Sequence, residues 1–233
     1  MTSHDVVARL RRILHTTKIG HSGTLDPNAT GVLLVLIGKA CKALPFLEDT
    51  DKEYIATLQL GIQTISVDIW MEPLKEAPIQ PIADFQSVLD SFRGVQKQVP
   101  PMISSVRVNG RKLYEYAREG IAVTRPEREV TIYDIEALDT QKLQFRVSCS
   151  SGTYVRSLCH DIAQKTGNLG CMSSLVRTKV GRFSLDECVT LQDVQEGCFQ
   201  LQVERDHPVR LILTVAIDDE TIIQDTVWIE ELR

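Results

Sequence analysis

A glycine-rich loop, Lys18–Gly31 with the sequence KIGHSGTLDPNATG, leads directly into the apolar run Val32–Ile37. The run is short and bounded by glycine, which predicts a buried strand. Glycines in the loop allow a ligand or another segment to approach the backbone closely. Pro27 fixes its own backbone and biases Asp26 towards an extended conformation. The loop can therefore hold the Asp26 carboxylate in a set direction, although glycines and Asp-Pro pairs are also typical of plain turns.

Charge is distributed unevenly along the 233 residues, whose net charge is −5. Residues 1–185 hold 23 Lys and Arg against 19 Asp and Glu, a net of +4, whereas residues 186–233 hold 3 against 12, a net of −9. Two basic clusters in the first part would suit the phosphates of a nucleic acid, although charge runs are more often solvated faces. They comprise Arg9, Arg11, Arg12 and Lys18, and then Arg93, Lys97, Arg107, Arg111, Lys112, Arg118, Arg125 and Arg128.

Composition is that of an ordinary globular protein, with 43% apolar and 24% charged residues. No apolar run reaches the ~18 residues that a membrane-spanning helix needs, and we expect no signal peptide at the start. The six cysteines form no C-x-x-C pair and have no histidine at zinc spacing. This pattern predicts reduced thiols in a cytoplasmic protein without a metal site.

Periodicity predicts several strands without a regular strand–helix alternation, which favours an α+β fold with a mostly antiparallel sheet. We expect a first helix capped by Ser3 and running to about His15, and a later helix capped by Thr190. Asn109-Gly110 is a strong hairpin-turn signal. Residues 61–81 contain three prolines and are predicted to be irregular. Gly94 is expected to stop the helix that precedes it.

The stretch Gly20–Gly31, GHSGTLDPNATG, closely resembles the active-site loop of the TruB family, the tRNA pseudouridine-55 synthases. Further segments resemble the family's motifs in the same order. They are DKEY at Asp51–Tyr54, the Pro100–Gly120 segment with VNGRKLYEYAR at Val108–Arg118, SGTYVR at Ser151–Arg156, and SLVRT at Ser174–Thr178. The resemblance implies a pseudouridine synthase fold, a mixed, mostly antiparallel sheet flanked by helices, with a basic RNA-gripping insertion at about residues 98–129.

The same resemblance implies roles for individual residues. Asp26 would be the catalytic nucleophile, with Arg156 as its ion-pair partner. Tyr54 would stack on the target uracil, and a proton-transfer role is also implied for it. Without the resemblance, Tyr54 is as well explained by packing in the core, and Arg156 by a surface charge.

Three more residues would bind the substrate by the same resemblance. His21 would contact the RNA and occupy the space that the base leaves, while Tyr154 and Leu175 would line the pocket. From the residues alone, Tyr154 and Leu175 are better explained as ordinary core and His21 as a surface histidine. The triplet Cys159-His160-Asp161 is not expected to be a nucleophilic site, because successive helical residues point in different directions.

The implied reaction breaks the N–C1′ bond of uridine and makes a C5–C1′ bond, so it needs no cofactor. A carboxylate nucleophile can attack either C1′ of the ribose or C6 of the uracil, and the sequence leaves both routes open. Extruding the uridine costs a few kcal/mol, which aromatic stacking worth about 1–3 kcal/mol helps to offset. An arginine suits the ion pair because it stays charged in an enclosed pocket.

The sequence departs from the family at three places. Only Thr2-Ser3 remains of an Asp-Lys-Pro-x-Gly-x-Thr-Ser motif, so we expect weaker RNA binding. Ile65 stands where the family has an acid, which predicts reduced activity. No PUA domain is recognisable, so we expect a catalytic domain at residues 1–204 and a short acidic segment at 205–233.

Three functions from different classes are compatible with these features. The first is an enzyme that isomerises uridine 55 in the TΨC loop of tRNA, acting as a monomer away from membranes. The second is a tRNA-binding or tRNA-folding module with weak or no turnover. The third is a glycoside or nucleoside hydrolase using Asp26, which would want a second carboxylate as general acid. No motif supplies that second carboxylate.

Overall fold

The computed structural model describes residues 1–47, 50–197 and 212–217. The chain divides into two compact units. Unit 1 contains Met1–Tyr54 and Val176–Arg233, and unit 2 contains Ile55–Leu175.

Helices and strands follow one another without a repeating order. The helices are α1 Ser3–Ile13, α2 Leu44–Leu47, α3 Phe85–Asp90, α4 Leu113–Arg118, α5 Val155–Lys165 and α6 Leu191–Glu196, with 3₁₀ helices at Gly38–Ala43 and Leu185–Glu187. The strands are β1 Ile19–Ser22, β2 Ala29–Ile37, β3 Lys52–Leu60, β4 Ile62–Thr64, β5 Pro73–Glu76, β6 Gly94–Gln98, β7 Arg107–Val108, β8 Arg111–Lys112, β9 Arg128–Asp139, β10 Gln144–Cys149, β11 Gly170–Val180, β12 Phe183–Ser184 and β13 Ile212–Ile217.

Nine of the strands form one sheet, in the order β1-β2-β11-β3-β10-β9-β6, with β12 beside β11 and β13 beside β2. The pairs β1–β2, β13–β2, β9–β10 and β6–β9 are all antiparallel. Two further hairpins, β4–β5 and β7–β8, form separate two-stranded sheets. The predicted α+β fold, a mostly antiparallel sheet flanked by helices, is confirmed.

The core of unit 1 centres on β2, in which Val32–Leu36 are completely buried. Burial on both faces explains why its sequence is a continuous apolar run rather than an alternation.

Helix α1 buries Val6, Val7 and Leu10. Its N-cap is Thr2, whose side chain accepts from the amide of Asp5, so the prediction of Ser3 as the cap was wrong. Ser3 is instead buried, and its hydroxyl oxygen accepts a hydrogen bond from the amide of Leu25.

Two predictions for unit 2 were wrong, both at short strands. Residues 61–81 were expected to be irregular, yet β4 and β5 pair there in the register Ile62 to Glu76. Gly94 does not stop a helix, because α3 already ends at Asp90 and Gly94 begins β6. These strands are short and largely exposed, so they lack the apolar alternation that identifies a half-buried strand.

Other local predictions were correct. Asn109 and Gly110 have φ values of 51° and 81°, which form the tight turn between β7 and β8. Thr190 caps α6, accepting from the amide of Asp193. The five cysteines within the described residues are free thiols. Most of the acidic segment 205–233 lies outside the described residues, apart from β13, which pairs with β2.

Candidate active site

The loop that carries Asp26 connects β1 to β2 in unit 1. Asp26 is half-buried, and its carbonyl oxygen accepts a hydrogen bond of 2.9 Å from the amide of Ala29, the first residue of β2. This bond closes a tight turn around Pro27. The backbone of Asp26 is therefore fixed by the start of the buried strand β2, in agreement with the prediction that the loop holds Asp26 in a set direction.

Residues on the N-terminal side of Asp26 are held by buried contacts. Leu25 is 4% exposed, and its amide donates to Oγ of Ser3 at 3.0 Å. Ser22 is also buried, and its hydroxyl donates to the carbonyl of Leu47 at 3.1 Å. These bonds attach the loop to α1 and to the end of α2. The residue beside the candidate nucleophile is thus fixed by both its side chain and its amide.

Arg177, which lies on β11, fixes the same loop from a different strand. Its side chain is 2% exposed, with Nε donating to the carbonyl of Val32 at 2.8 Å and Nη2 donating to the carbonyl of Gly23 at 3.0 Å. The sequence reasoning missed this residue as a functional candidate. No local signal in the sequence marked it, because its buried position in β11 and its need for acceptors appear only in the folded chain.

His21 lies on β1 opposite Val35 and is half-buried. Burial lowers the pKa of His21, and the positive charge of Arg177 and a smaller influence of His4 lower it further. Its Nδ1 is buried without a hydrogen-bond partner among the described residues. The ring is therefore held largely neutral near pH 7, with the capacity to donate or accept a hydrogen bond.

Tyr54 belongs to β3 and is 9% exposed. The preceding residue, Glu53, accepts a hydrogen bond from Oγ1 of Thr178 at 2.8 Å and lies 3.7 Å from Nζ of Lys179. These contacts fix the end of β3 against β11 within unit 1. Tyr54 therefore stands on a rigid strand rather than on a loop. Its stacking role stays a prediction.

The start of α5 positions the candidate residues of unit 2. Tyr154 is the N-cap of this helix and is half-buried. The Gln98 side chain brackets it, accepting from the amide of Tyr154 at 2.7 Å and donating to its carbonyl at 3.0 Å. The hydroxyl of Ser157 donates to the carbonyl of Val99 at 2.8 Å. Leu175, the remaining candidate of unit 2, is 6% exposed in β11.

Arg156 is 5% exposed, so it is not the surface charge that its sequence position alone would suggest. Its Nη1 donates to the carbonyl of Ser66 at 2.8 Å and its Nη2 to the carbonyl of Ile103 at 3.0 Å. Ser66 belongs to a turn in which Val67 has a φ of 60°, a strained value for a β-branched residue. Ile65, in the same turn, is 40% exposed.

The candidate residues are thus divided between the units. Unit 1 contains His21, Asp26 and Tyr54, while unit 2 contains Tyr154, Arg156 and Leu175. The pairing of Asp26 with Arg156 joins the two sets and stays a prediction.

The Cys159-His160-Asp161 triplet has a different character. Cys159 is completely buried in α5, and burial raises the pKa of its thiol far above the usual value. A protonated, inaccessible thiol is inert as a nucleophile.

Across residues 1–47, 50–197 and 212–217, no group of three or more His, Cys, Asp or Glu side chains could hold a metal ion. No helix in the same ranges is long and apolar enough to cross a membrane.

A basic hairpin formed by β7 and β8 continues into α4. Tyr114 lies between two cations, with Nζ of Lys112 at 5.4 Å and Cζ of Arg118 at 5.3 Å from its ring centroid. Arg111 lies over Tyr116 at 4.8 Å and pairs with Glu119 at 2.5 Å. Neither Lys112 nor Arg118 forms an ion pair with the acidic residues that the structure describes. These two positive charges are therefore uncompensated, as binding to phosphates requires.

Comparison with known proteins agrees with these features. The family model for the N-terminal domain of TruB family pseudouridylate synthases matches residues 11–155, and that for the tRNA pseudouridylate synthase B C-terminal domain matches residues 156–215. The chain is 47% identical to tRNA pseudouridine synthase B of Bacillus velezensis, over 84% of this chain and 67% of that protein. It is 43% identical to the Bacillus subtilis protein of the same name, over 97% of this chain and 76% of the relative.

A solved structure is also similar, with a TM-score of 0.60 and 34% identity over 79% of this chain. It is described as the crystal structure of a Cbf5-Nop10-Gar1 complex, and the chain spans about half, 46%, of the length of the chain it matches there. The family models and the identity to the Bacillus proteins point to the same family as the loop and the fold. The chain therefore belongs to the TruB family of pseudouridylate synthases.

Proposed function

We propose that this protein isomerises uridine 55 to pseudouridine in the TΨC loop of tRNA. Asp26 is the nucleophile, Arg156 its ion-pair partner, and Tyr54 the ring that stacks on the everted base. Membership of the TruB family supports the reaction class. The names of the Bacillus relatives, tRNA pseudouridine synthase B, support tRNA as the substrate.

The observation that carries the proposal is the loop around Asp26. Its backbone is fixed at Gly23, Leu25, Ala29 and Val32 by hydrogen bonds to residues of unit 1. A nucleophile must be held close to its productive geometry, because misplacement by about 1 Å can cost a factor of about 100 in rate. Asp26 is half-buried, so its carboxylate is shielded without being closed off from a substrate.

The reaction begins when the target uridine leaves its stack, at a cost of a few kcal/mol. Stacking on Tyr54 offsets part of this cost, and Tyr154 and Leu175 supply apolar walls. His21, kept largely neutral by burial, enters the space that the base leaves without adding a buried charge. Asp26 then attacks C1′ or C6, and the N1–C1′ bond breaks, either directly or from the C6 adduct. The base rotates, C5 bonds to C1′ as the bond to Asp26 breaks, and C5 loses its proton while N1 gains one.

Binding of the tRNA is assigned to the basic insertion at about residues 98–129. The two cations over Tyr114, Lys112 and Arg118, support this assignment, since neither forms an ion pair with a described acidic residue. We propose the domain organisation stated above, with residues 1–204 catalytic, and a monomer that works in the cytoplasm. The free thiols support a reducing compartment.

An Asp26→Asn variant tests the proposal with minimal change in shape. Wild-type protein is incubated with unmodified tRNA transcript, and pseudouridine is mapped by position. Wild type should convert position 55, whereas the variant should bind the tRNA with similar affinity and form no detectable product. A transcript carrying cytidine at position 55 is the matched substrate control. An Asp26→Asn protein with wild-type turnover would contradict the assignment.

A second candidate, a tRNA-binding or tRNA-folding module with weak turnover, is favoured by one observation. Ile65 lies in the turn that Arg156 contacts, at a position where the resemblance to the family leads us to expect an acid, and 40% of this apolar residue is exposed. An Ile65→Asp variant separates the two functions. If the protein is primarily a binding module, wild type binds tRNA with little product and the Ile65→Asp variant gains turnover.

A further inference from the structure

Arg177 is a buried cation that the chemistry above leaves without a role. It is 2% exposed, and burying a charge is costly unless strong hydrogen bonds compensate. The compensation comes from backbone carbonyls, at Val32 and at Gly23. A chain that needed only a filled core at this position could use an apolar residue at lower cost. The arginine therefore needs an explanation in terms of what its two acceptors do.

The two acceptors lie on either side of one loop. Gly23 directly follows β1 and comes before Asp26, whereas Val32 lies inside β2, three residues after its first residue, so the planar guanidinium joins the start of the loop to the strand that follows it. Nε and Nη2 point in fixed relative directions, and a single guanidinium therefore sets the separation of the two carbonyls. A lysine has one ammonium group on a flexible stem and cannot define that separation in the same way.

The backbone of Arg177 restrains the same loop a second time. A Cβ atom placed on Gly31 would lie 2.1 Å from the carbonyl oxygen of Arg177 and 2.7 Å from its amide nitrogen. Gly31 also has a φ of 104°, which only glycine adopts readily. Loop and strand therefore meet backbone to backbone at this residue. The side chain and the main chain of Arg177 together hold both ends of the segment that presents Asp26.

We propose that Arg177 is a positioning residue, which sets the direction of the Asp26 carboxylate by clamping Gly23 and Val32. The inference rests on the proposed function, in which Asp26 is the nucleophile. Arg177 itself touches no reacting atom in this account. Its loss should lower the rate of the chemical step while leaving tRNA affinity unchanged.

The test uses the full-length variants Arg177→Lys and Arg177→Met. Single-turnover formation of pseudouridine, tRNA affinity and resistance to urea are measured for each. We expect affinity within about twofold of wild type and a single-turnover rate lowered about 100-fold, the usual consequence of a misplaced reacting group. Arg177→Lys retains the charge and can still reach one carbonyl, so it should fold even if Arg177→Met does not.

Leu89→Ala is the matched control, since Leu89 is completely buried in α3 of unit 2 and has no assigned role. This variant loses stability through a cavity, and its rate should equal that of wild type at a temperature where every variant is folded. Wild-type rates in both Arg177 variants would overturn the inference. So would a rate loss no larger than that of Leu89→Ala, or a loss confined to tRNA affinity.

Failure of the proposed function gives a different pattern. If wild type forms no pseudouridine, the function is wrong, and the clamp is judged by hydrogen exchange instead. Amides of residues 24–31 should then exchange faster in Arg177→Lys than in wild type, while those of β9 in unit 2 stay unchanged. Equal exchange in the loop of both proteins would overturn the clamp itself.

Discussion

The loop that presents Asp26 and the basic hairpin Arg107–Lys112 use their side chains in opposite ways. In the loop, buried groups such as Ser3 and Arg177 hold the backbone on either side of the half-buried Asp26, the proposed nucleophile. In the hairpin, the side-chain restraints are local: Nη1 of Arg107 donates to the carbonyl of Gly110, the Tyr116 hydroxyl donates to that of Val108, and cations lie against tyrosine rings. A nucleophile requires one geometry, whereas phosphate binding tolerates many, so the loop needs restraints from distant parts of the chain.

The two regions should therefore differ in how mutations act. Changes in the loop should affect stability and the chemical rate together, because the same contacts serve both. Changes in the hairpin should affect tRNA affinity and its salt dependence, with little change in rate.

The largest effect is expected from Gly31→Ala. Its Cβ would overlap the backbone of Arg177, which cannot move as a flexible side chain could. We expect a loss of about 3 kcal/mol or more in the free energy of unfolding. Gly110→Ala in the hairpin is the control, since a Cβ there meets nothing within 4 Å. Its cost should be only about 1–2 kcal/mol, from its positive φ. Urea unfolding of both variants measures the difference, and equal losses would contradict the close approach.

Ser3→Ala should have the next largest effect. It removes the acceptor of the Leu25 amide, and a buried donor without a partner costs about 1–3 kcal/mol. Thr2→Ala, one residue earlier, removes only the exposed cap of α1, at a cost of about 1 kcal/mol. Single-turnover rates should fall for Ser3→Ala and remain at the wild-type level for Thr2→Ala. An unchanged rate in both variants would contradict this prediction, because the Ser3 bond would then stabilise the loop without setting its catalytic geometry.

The double variant Lys112→Gln with Arg118→Gln tests the hairpin together with α4, the helix that follows it. Each lost phosphate contact should lower the slope of log affinity against log salt by about 1, and affinity should fall several-fold at physiological salt. Arg146→Gln is the control, because Arg146 is an exposed cation already paired with Glu136 at 2.6 Å. Its salt slope should match wild type. Filter binding across a salt series gives all three slopes.

The smallest effect concerns pH. Burial, followed by the charge of Arg177, lowers the pKa of His21 in the folded protein. Below its unfolded pKa of about 6.5 the unfolded chain therefore binds the extra proton first, so stability falls as pH drops through this range. The His21→Gln variant lacks this ionisable group, so its free energy of unfolding should fall less as the pH drops. Urea unfolding between about pH 7.5 and 5.5 compares the two proteins, and NMR titration of His21 checks the direction of its pKa shift. A parallel pH dependence in both proteins would contradict the shift.

Local patterns predicted much of the architecture. The apolar run Val32–Ile37 indicated β2, Asn109-Gly110 indicated the hairpin turn, and Thr190 indicated the cap of α6, because each depends on neighbouring residues alone. The short, largely exposed strand β6 was missed, since its pairing depends on β9, a partner distant in the chain. The true cap of α1 was also missed, because Ser3 is occupied by a bond to Leu25 that no local pattern encodes.

The sequence by itself determined the family and the position of the candidate nucleophile, because the loop GHSGTLDPNATG is contiguous and its residue types are specific. Only the tertiary structure decided what holds that loop. Arg177 lies 154 positions after Gly23 and 145 after Val32, yet one guanidinium joins both carbonyls. A hydrogen bond between such distant residues depends on how β2 and β11 pack, and packing is a property of the folded chain rather than of any segment.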